Sequence, residues 1–159
     1  MSFKIFRRSA ERKASQQTAT AIERVASALH NDWRQTRLQD DLSYEPRVKT
    51  TKDEAWIAAH GTDQVDIANT DFAELPSDWQ AENRAAATVV VGLLGRGAID
   101  LSAEDQRLQA GSVIHDAWLS RNDYARGGEL DVPFGQLPPE EQAKDLAHVL
   151  IAQQVLFQQ

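Results

Sequence analysis

Residues 72–86 read FAELPSDWQAENRAA, and residues 134–148 read FGQLPPEEQAKDLAH. The two stretches align without a gap, and each runs on into apolar residues at helical spacing. Phe, Leu, Pro, Gln and Ala recur at matching places. The matching pairs are Phe72/Phe134, Leu75/Leu137, Pro76/Pro138, Gln80/Gln142, Ala81/Ala143 and Ala85/Ala147. This repetition predicts two copies of one structural unit in the chain.

A second pair of matching motifs precedes these stretches. His30 lies three residues before Trp33, and His115 lies three residues before Trp118. Each half therefore reads as a helix ending in His-x-x-Trp, a loop, Phe-x-x-Leu-Pro and a further helix. The histidines are 85 residues apart and the phenylalanines 62, so the first loop is longer by 23 residues. Since units this small cannot each bury an apolar face alone, we expect them to pack against one another.

The predicted fold class is mainly α, with about four helices in two pseudo-repeated helix–loop–helix units. Ser77 and Ser102 are predicted to cap two of the helices. Gly111 is expected to allow close approach of a neighbouring segment. The predicted helices cover residues 9–37, 78–94 and 102–121 and the C-terminal stretch that begins at Pro138 and Pro139.

The first unit carries a short irregular or hairpin excursion at residues 40–71. Its YEPRVKTT stretch, residues 44–51, is typical of a short strand or hairpin arm. Residues 52–60, KDEAWIAAH, are predicted to form two helical turns that Gly61 ends. Residues 62–71 are expected to be an extended loop.

These elements predict one compact globular unit with three parts. A basic N-terminal arm covers residues 1–13, the first repeat covers residues 14–97, and the second covers residues 98–159. The arm is expected to be a solvated, partly frayed terminus, which could instead contact an acidic surface.

Composition and charge exclude several classes of protein. The chain has no cysteine, which removes thiol nucleophiles, disulfides and cysteine-bound zinc. No apolar run is long enough for a membrane span, and no secretory signal is evident, so a cytoplasmic location is expected. The arm has five basic residues and one acidic residue, which leaves 12 basic and 23 acidic residues elsewhere, a net of −11. Because so acidic a body repels phosphate backbones, no nucleic-acid partner is expected.

The second unit resembles the RyR domain, a repeat first described in ryanodine-receptor channels and also found in bacterial and phage proteins. HDAW at residues 115–118 and VPFGQLPPEEQAKD at 132–145 carry the resemblance, which extends over about residues 107–155. The first unit lacks a proline before Phe72 and has a long insertion. The resemblance implies paired repeats around a pseudo-two-fold axis and a binding module, with nucleotides as the leading ligand class.

The candidate ligand-binding residues combine cations with aromatic rings. Arginine guanidinium groups and aromatic faces suit a phosphate with a stacked base. In the alternative interpretation, these cations form ion pairs with Asp40, Asp41, Asp53 and Glu54. The candidate residues are Trp33, Arg37, Tyr44, Arg47, Lys49, His115 and Trp118.

The two histidines also have two interpretations. Each contacts ligand beside its tryptophan, or each is structural and fixes the loop that follows. The four histidines have no metal-ligand spacing, and no catalytic motif is present, so we expect no metal, no cofactor and no catalytic residue.

The sequence therefore predicts a non-enzymatic binding module for a small anionic ligand or nucleotide. The alternative is a structural or assembly protein that contacts a protein partner or a second copy of itself, for example in a phage particle. Its docking segments would be the basic arm and the apolar C-terminus, residues 155–159.

Overall fold

The protein is described by a computed structural model that covers residues 2–158. Two residues lie outside the described range: Met1, the first residue of the predicted arm, and Gln159, the last residue of the predicted second repeat. The predicted mainly α class is confirmed, since five α-helices, three short 3₁₀ turns and one two-stranded sheet make up the regular structure of residues 2–158. The helices are α1 (Ser2–Gln35), α2 (Glu54–His60), α3 (Ser77–Leu94), α4 (Glu104–Arg121) and α5 (Pro139–Phe157).

The first helix is longer at its N-terminus than predicted. We expected a partly frayed arm over residues 1–13, but α1 is helical from Ser2 onward. The stretch has no glycine or proline and is rich in alanine, arginine, lysine and glutamine, which favour helix. Arg7 and Glu11, four residues apart, form a 3.0 Å ion pair along its surface.

The predicted cap residues of α3 and α4 are each displaced by one position. Pro76 rather than Ser77 is the N-cap of α3, and the Asp53 carboxylate accepts the Ser77 backbone N–H at 2.8 Å. Ala103 rather than Ser102 precedes α4, because the Ser102 hydroxyl donates to Asp100 instead. At α3 the Asp53 carboxylate thus takes over the role expected of serine, whereas at α4 the Asp100 carboxylate binds Ser102 before the helix begins.

The excursion at residues 40–71 is more regular than predicted. Strands β1 (Val48–Thr50) and β2 (Gln64–Asp66) pair antiparallel, with Lys49 opposite Val65. The second strand lies in the segment expected to be loop. Helix α2 ends at Gly61, whose φ of +70° is the left-handed conformation expected of a glycine after a helix.

The helices pack in a pattern that is unchanged when the two halves are exchanged. Helices α3 and α5 contact each other, and each also contacts both α1 and α4. Likewise, α1 packs on the 3₁₀ turn Phe72–Glu74, and α4 packs on the 3₁₀ turn Phe134–Gln136. If α1 is exchanged with α4 and α3 with α5, each of these contacts therefore becomes another contact in the same set. A pseudo-two-fold arrangement requires this correspondence.

Local geometry repeats at the two Phe-x-x-Leu-Pro motifs. The Leu75 and Leu137 backbone N–H groups donate to the carbonyls of Phe72 and Phe134, at 3.2 and 3.1 Å. The Gln80 amide donates to the Phe72 carbonyl at 2.9 Å, and the Gln142 amide donates to the Leu137 carbonyl at the same distance. Each glutamine thus ties its helix to the turn before it.

The buried residues follow the same correspondence. Both members of each aligned pair lie in the interior, although the residue types differ at several positions. These pairs are Val25/Ala110, Ala26/Gly111, Leu29/Ile114, Phe72/Phe134, Leu75/Leu137, Ala87/Val149 and Val90/Ala152. The close approach predicted at Gly111 is confirmed, because an added Cβ there would lie 2.3 Å from the Phe134 ring.

Candidate functional site

The two His-x-x-Trp motifs have matching environments. His30 and His115 are each only 3% exposed, and both point their Nε2 atoms at backbone carbonyls. His30 Nε2 lies 2.8 Å from the Thr70 carbonyl, and His115 Nε2 lies 3.0 Å from the carbonyls of Val132 and Leu130. Thr70 and Val132 are aligned residues. Since a carbonyl only accepts, Nε2 donates in both, which is the loop-fixing geometry of the structural interpretation.

The rings of each motif also stack in the same way. The His30 and Trp33 centroids are 5.9 Å apart, and those of His115 and Trp118 are 6.1 Å apart. Each tryptophan is half-buried. A flat apolar surface therefore remains beside each buried histidine.

Around the first motif, the predicted cations contact their own loops. Arg37 donates from Nε to the Glu45 carbonyl at 2.9 Å and from Nη2 to the Pro46 carbonyl at 3.1 Å. Its guanidinium lies 5.7 Å from the Trp33 ring. The structure thus brings Trp33 and Arg37 together, with the guanidinium holding the turn that leads into β1.

Arg34, which is not among the seven candidate residues, organises this region. It is buried, and its Nε donates to the Ala68 carbonyl at 2.7 Å while Nη1 lies 2.7 Å from Asp71. Its guanidinium also covers the Tyr44 ring at 4.4 Å. Its position four residues after His30, on the same helix face, is the signal that could have identified it.

The remaining first-repeat candidates do not complete a site. The Arg47 backbone N–H donates to Asp66, whereas its side chain is exposed. Lys49 lies in β1 opposite Val65. The ion pairs at these loops involve Glu45 and Asp71, rather than the four acidic residues named in the alternative interpretation.

The second motif borders a cavity of about 280 Å³ between α4, α5 and the loop that joins them. His115 and Trp118 are the two sequence-predicted candidates in its wall. Leu130 and Leu137 provide apolar surface, and α5 contributes four titratable side chains. The complete lining is His115, Trp118, Leu130, Leu137, Glu141, Lys144, Asp145 and His148. We call this space the second-repeat cavity.

Asp145 is the central charged group of the second-repeat cavity. Its Oδ2 lies 3.5 Å from His115 Nδ1, and its side chain is only 15% exposed. Burial raises the pKa of Asp145 to about 6, against the opposing effect of the nearby His115. The carboxyl group is therefore mostly ionised at pH 7.5 and becomes protonated as the pH falls through 6.

The other α5 side chains leave the cavity with little positive charge. The Lys144 ammonium is exposed and lies 2.7 Å from the Glu141 carboxylate. Burial and the charge of Arg121 lower the pKa of His148, with Asp32 acting in the opposite direction. His148 is therefore neutral at pH 7.5, and the Asp145 carboxylate, 3.5 Å from His115, supplies negative charge to the cavity.

The corresponding positions of the first repeat are different. Trp79, Asn83 and Ala86 align with Glu141, Asp145 and His148. The Trp79 indole donates to the Thr50 carbonyl of the excursion at 3.2 Å, and the Asn83 amide donates to the Trp79 carbonyl at 3.1 Å. The first repeat thus has uncharged side chains at these positions, of which Trp79 is bonded to the insertion, where the second repeat has a charged cavity.

Sequence reasoning missed the α5 contribution to the cavity. Glu141, Asp145 and His148 follow the spacing i, i+4, i+7, which places them on one helix face. That spacing was the available signal. Within residues 2–158, no group of histidine and acidic side chains is arranged to hold a metal, and no helix is sufficiently long and apolar to span a membrane.

Comparison with protein-family models, curated proteins and solved structures found no match.

Proposed function

We propose that this protein is a non-enzymatic binding module and that its ligand occupies the second-repeat cavity. The observation that carries the proposal is the half-buried Asp145 carboxyl facing a small cavity beside the Trp118 ring. Small-molecule sites typically combine apolar walls with a few placed polar groups, as here. The corresponding region of the first repeat lacks these groups.

The lining favours a small organic cation. Asp145 supplies negative charge, the Trp118 face attracts a cation through its ring quadrupole, and Leu137 receives an apolar portion of the ligand. The volume of 280 Å³ limits the ligand to a compact molecule. A primary ammonium group on a short apolar or aromatic body fits these constraints.

The anionic or nucleotide ligand expected from the sequence is the competing class. That expectation depends on first-repeat cations, and the guanidinium groups of Arg34 and Arg37 already bind backbone carbonyls there. The cavity's Lys144 is paired with Glu141. The charge balance therefore supports a cationic ligand over an anionic one.

Binding rather than catalysis follows from the roles of the side chains. His115 Nε2 donates to two carbonyls, so this nitrogen is not free to act as a base toward a ligand. The lining offers no hydroxyl or thiol nucleophile. Lys144, the one lining amine, is exposed and ion-paired.

Membership of the RyR-like repeats and a cytoplasmic location are part of this proposal. The aligned histidines, 3₁₀ turns and glutamine contacts support two copies of one unit. The cysteine-free sequence fits a reducing compartment. Cell fractionation of the native protein tests the location.

Calorimetric titration at pH 7.5 tests the ligand class. Benzylammonium and choline are the cationic probes, benzyl alcohol is the neutral comparator, and adenosine monophosphate represents the anionic class. We expect saturable binding of a cation, weakened at least tenfold by Asp145→Asn and by Trp118→Ala. Trp33→Ala, the aligned first-repeat change, is the control and leaves binding unchanged.

The pH dependence provides an independent check. Cation binding requires the Asp145 carboxylate, so affinity falls as the pH decreases through about 6. Protonation of His148 at lower pH acts in the same direction. Binding of adenosine monophosphate that is insensitive to Asp145→Asn would contradict the cation proposal.

The second candidate function is assembly, favoured by the N-terminal part of α1. Residues 4–20 are exposed along their whole length, and they include Ile5 at 67% and Phe6 at 74% exposure. Light scattering of the intact chain and of a chain lacking residues 1–13 tests this function. Assembly predicts a multiple of the 17.7 kDa chain mass for the intact protein and the single-chain mass after truncation.

A further inference from the structure

The N-terminal part of α1 extends beyond the helical bundle. Residues 2–20, here called the projecting helix, span about 28 Å at the α-helical rise of 1.5 Å per residue. Their described side chains are exposed throughout. A single helix of this length is only marginally stable in water, because most helix stability in proteins comes from packing of one face. The projecting helix therefore lacks the partner surface that would stabilise it.

The direction of α1 places the projecting helix at a defined end of the bundle. Glu23 contacts Arg84 within α3, whereas His30 contacts Thr70, which precedes α3. Helix α1 therefore runs antiparallel to α3. The projecting helix leaves the bundle at the end where α3 terminates and α4 begins.

A groove of about 640 Å³ lies at this same end, between the C-terminal half of α3 and the N-terminal half of α4. Aliphatic side chains form about half of its walls, and Val113 among them is 41% exposed. The lining residues are Thr88, Val89, Gly92, Leu93, Arg96, Gly97, Ala98, Ile99, Gln106, Gln109, Ala110 and Val113. We call this surface the α3–α4 groove.

The charges at the groove complement those of the projecting helix. Asp100 follows the lining residue Ile99, and Glu104 and Asp105 form the first turn of α4 next to Gln106. Arg96 is the one cation in the lining. The projecting helix carries Lys4, Arg7, Arg8, Arg12 and Lys13 against Glu11 alone.

We infer that the projecting helix of one molecule binds in the α3–α4 groove of a second copy of this chain. Ile5 and Phe6 enter the aliphatic groove, while the arginine and lysine side chains face the acidic first turn of α4. Because the helix and the groove belong to the same chain, two copies related by a two-fold axis can exchange helices reciprocally. This inference rests on the assembly function proposed above and names its partner.

Charge favours a second copy over an anionic membrane surface. The projecting segment has a net charge of +4 in residues 1–13, but the rest of the chain carries −11. An anionic bilayer would attract the helix and repel the attached body, whereas a second copy offers the acidic surface directly. A helix laid in a groove also buries its apolar side chains, which is a recurring mode of helix recognition.

Light scattering of the full chain at 2 and 200 µM tests the inference. We expect a dimer mass at the higher concentration, reduced to monomer by Phe6→Glu and by Val113→Glu. Leu150→Glu is the control, since Leu150 is an exposed leucine on α5 outside the groove. Circular dichroism of each variant verifies that the fold is retained.

Cross-linking gives a second measurement that does not depend on loss of function. The chain has no cysteine, so Phe6→Cys and Val113→Cys introduce single thiols. Mixing the two variants under mild oxidation should produce a disulfide-linked dimer, whereas mixing Phe6→Cys with Leu150→Cys should not.

The outcomes separate this inference from the assembly function. A monomer at both concentrations contradicts assembly and the inference together. A dimer that is lost on Phe6→Glu but retained by Val113→Glu supports assembly and overturns the groove as its partner. The protein could instead remain a monomer and sediment with phosphatidylcholine–phosphatidylserine vesicles. If Phe6→Glu abolishes that sedimentation, the inference is overturned in favour of a membrane surface.

Discussion

Gly111→Ala is the substitution whose consequence the repeat packing defines most closely. The added Cβ would lie 2.3 Å from Cε1 and Cζ of Phe134, a ring that is only 1% exposed and must shift to make room. Overpacking of a core costs about 1–3 kcal/mol, and so close a contact belongs at the upper end. Alanine returns about 1 kcal/mol through helix propensity. We expect a net loss of about 2 kcal/mol of unfolding free energy.

Thermal and urea unfolding followed by circular dichroism measure this loss. For a chain of this size, a loss of about 2 kcal/mol corresponds to a decrease in Tm of about 4–8 °C. Gly92→Ala is the matched control, because an added Cβ in that helix meets no atom within 4 Å. It should stabilise the protein by about 0.5–1 kcal/mol. Combining Gly111→Ala with Phe134→Leu should recover part of the loss. If Gly111→Ala stabilises the protein as much as Gly92→Ala does, the close packing of Gly111 against the Phe134 ring is refuted.

Three further predictions concern individual side chains. Arg34→Gln should lower the unfolding free energy by about 1–3 kcal/mol in urea denaturation, because it leaves the buried Ala68 carbonyl without its partner. Exposed Arg47→Gln is the control and should change it by less than about 0.5 kcal/mol. Asp145→Asn should raise Tm at pH 7.5 but not at pH 4, because the raised pKa of Asp145 makes wild-type stability fall as the pH rises from about 4 to 6. Leu42→Gly should raise Tm slightly, because Leu42 has a φ of +68° that costs a leucine about 1 kcal/mol. An unchanged or lower Tm for Asp145→Asn at pH 7.5, or for Leu42→Gly, would contradict the corresponding prediction.

Much of the helical architecture was predictable because it depends on local patterns. Apolar spacing, the prolines before α3 and α5, and Gly61 each act within one or two turns of chain. The internal alignment also matched Phe72 with Phe134 and Leu75 with Leu137, and all four residues are buried. Strand β2 was missed because a three-residue strand depends on its pairing with β1 rather than on its own sequence.

The site was less predictable because it depends on what lies between helices. The cations near Trp33 formed a plausible anion site by composition, but only the fold shows that Arg37 binds its own loop. The spacing of Glu141, Asp145 and His148 was visible in the sequence. The difference between the two helix faces depends on tertiary contacts, however. The second repeat leaves this face open, whereas Trp79 binds the first-repeat face to the excursion.

The central claim is that the second repeat keeps an open cation site where the first repeat has none. Fluorine NMR of protein labelled with 5-fluorotryptophan tests it most directly, because the four tryptophans give separate signals that single substitutions assign. Titration with benzylammonium should shift the Trp118 resonance saturably at pH 7.5 and leave that of Trp33 unchanged. Equal shifts at both residues, or a Trp118 shift that persists in Asp145→Asn, would contradict the account.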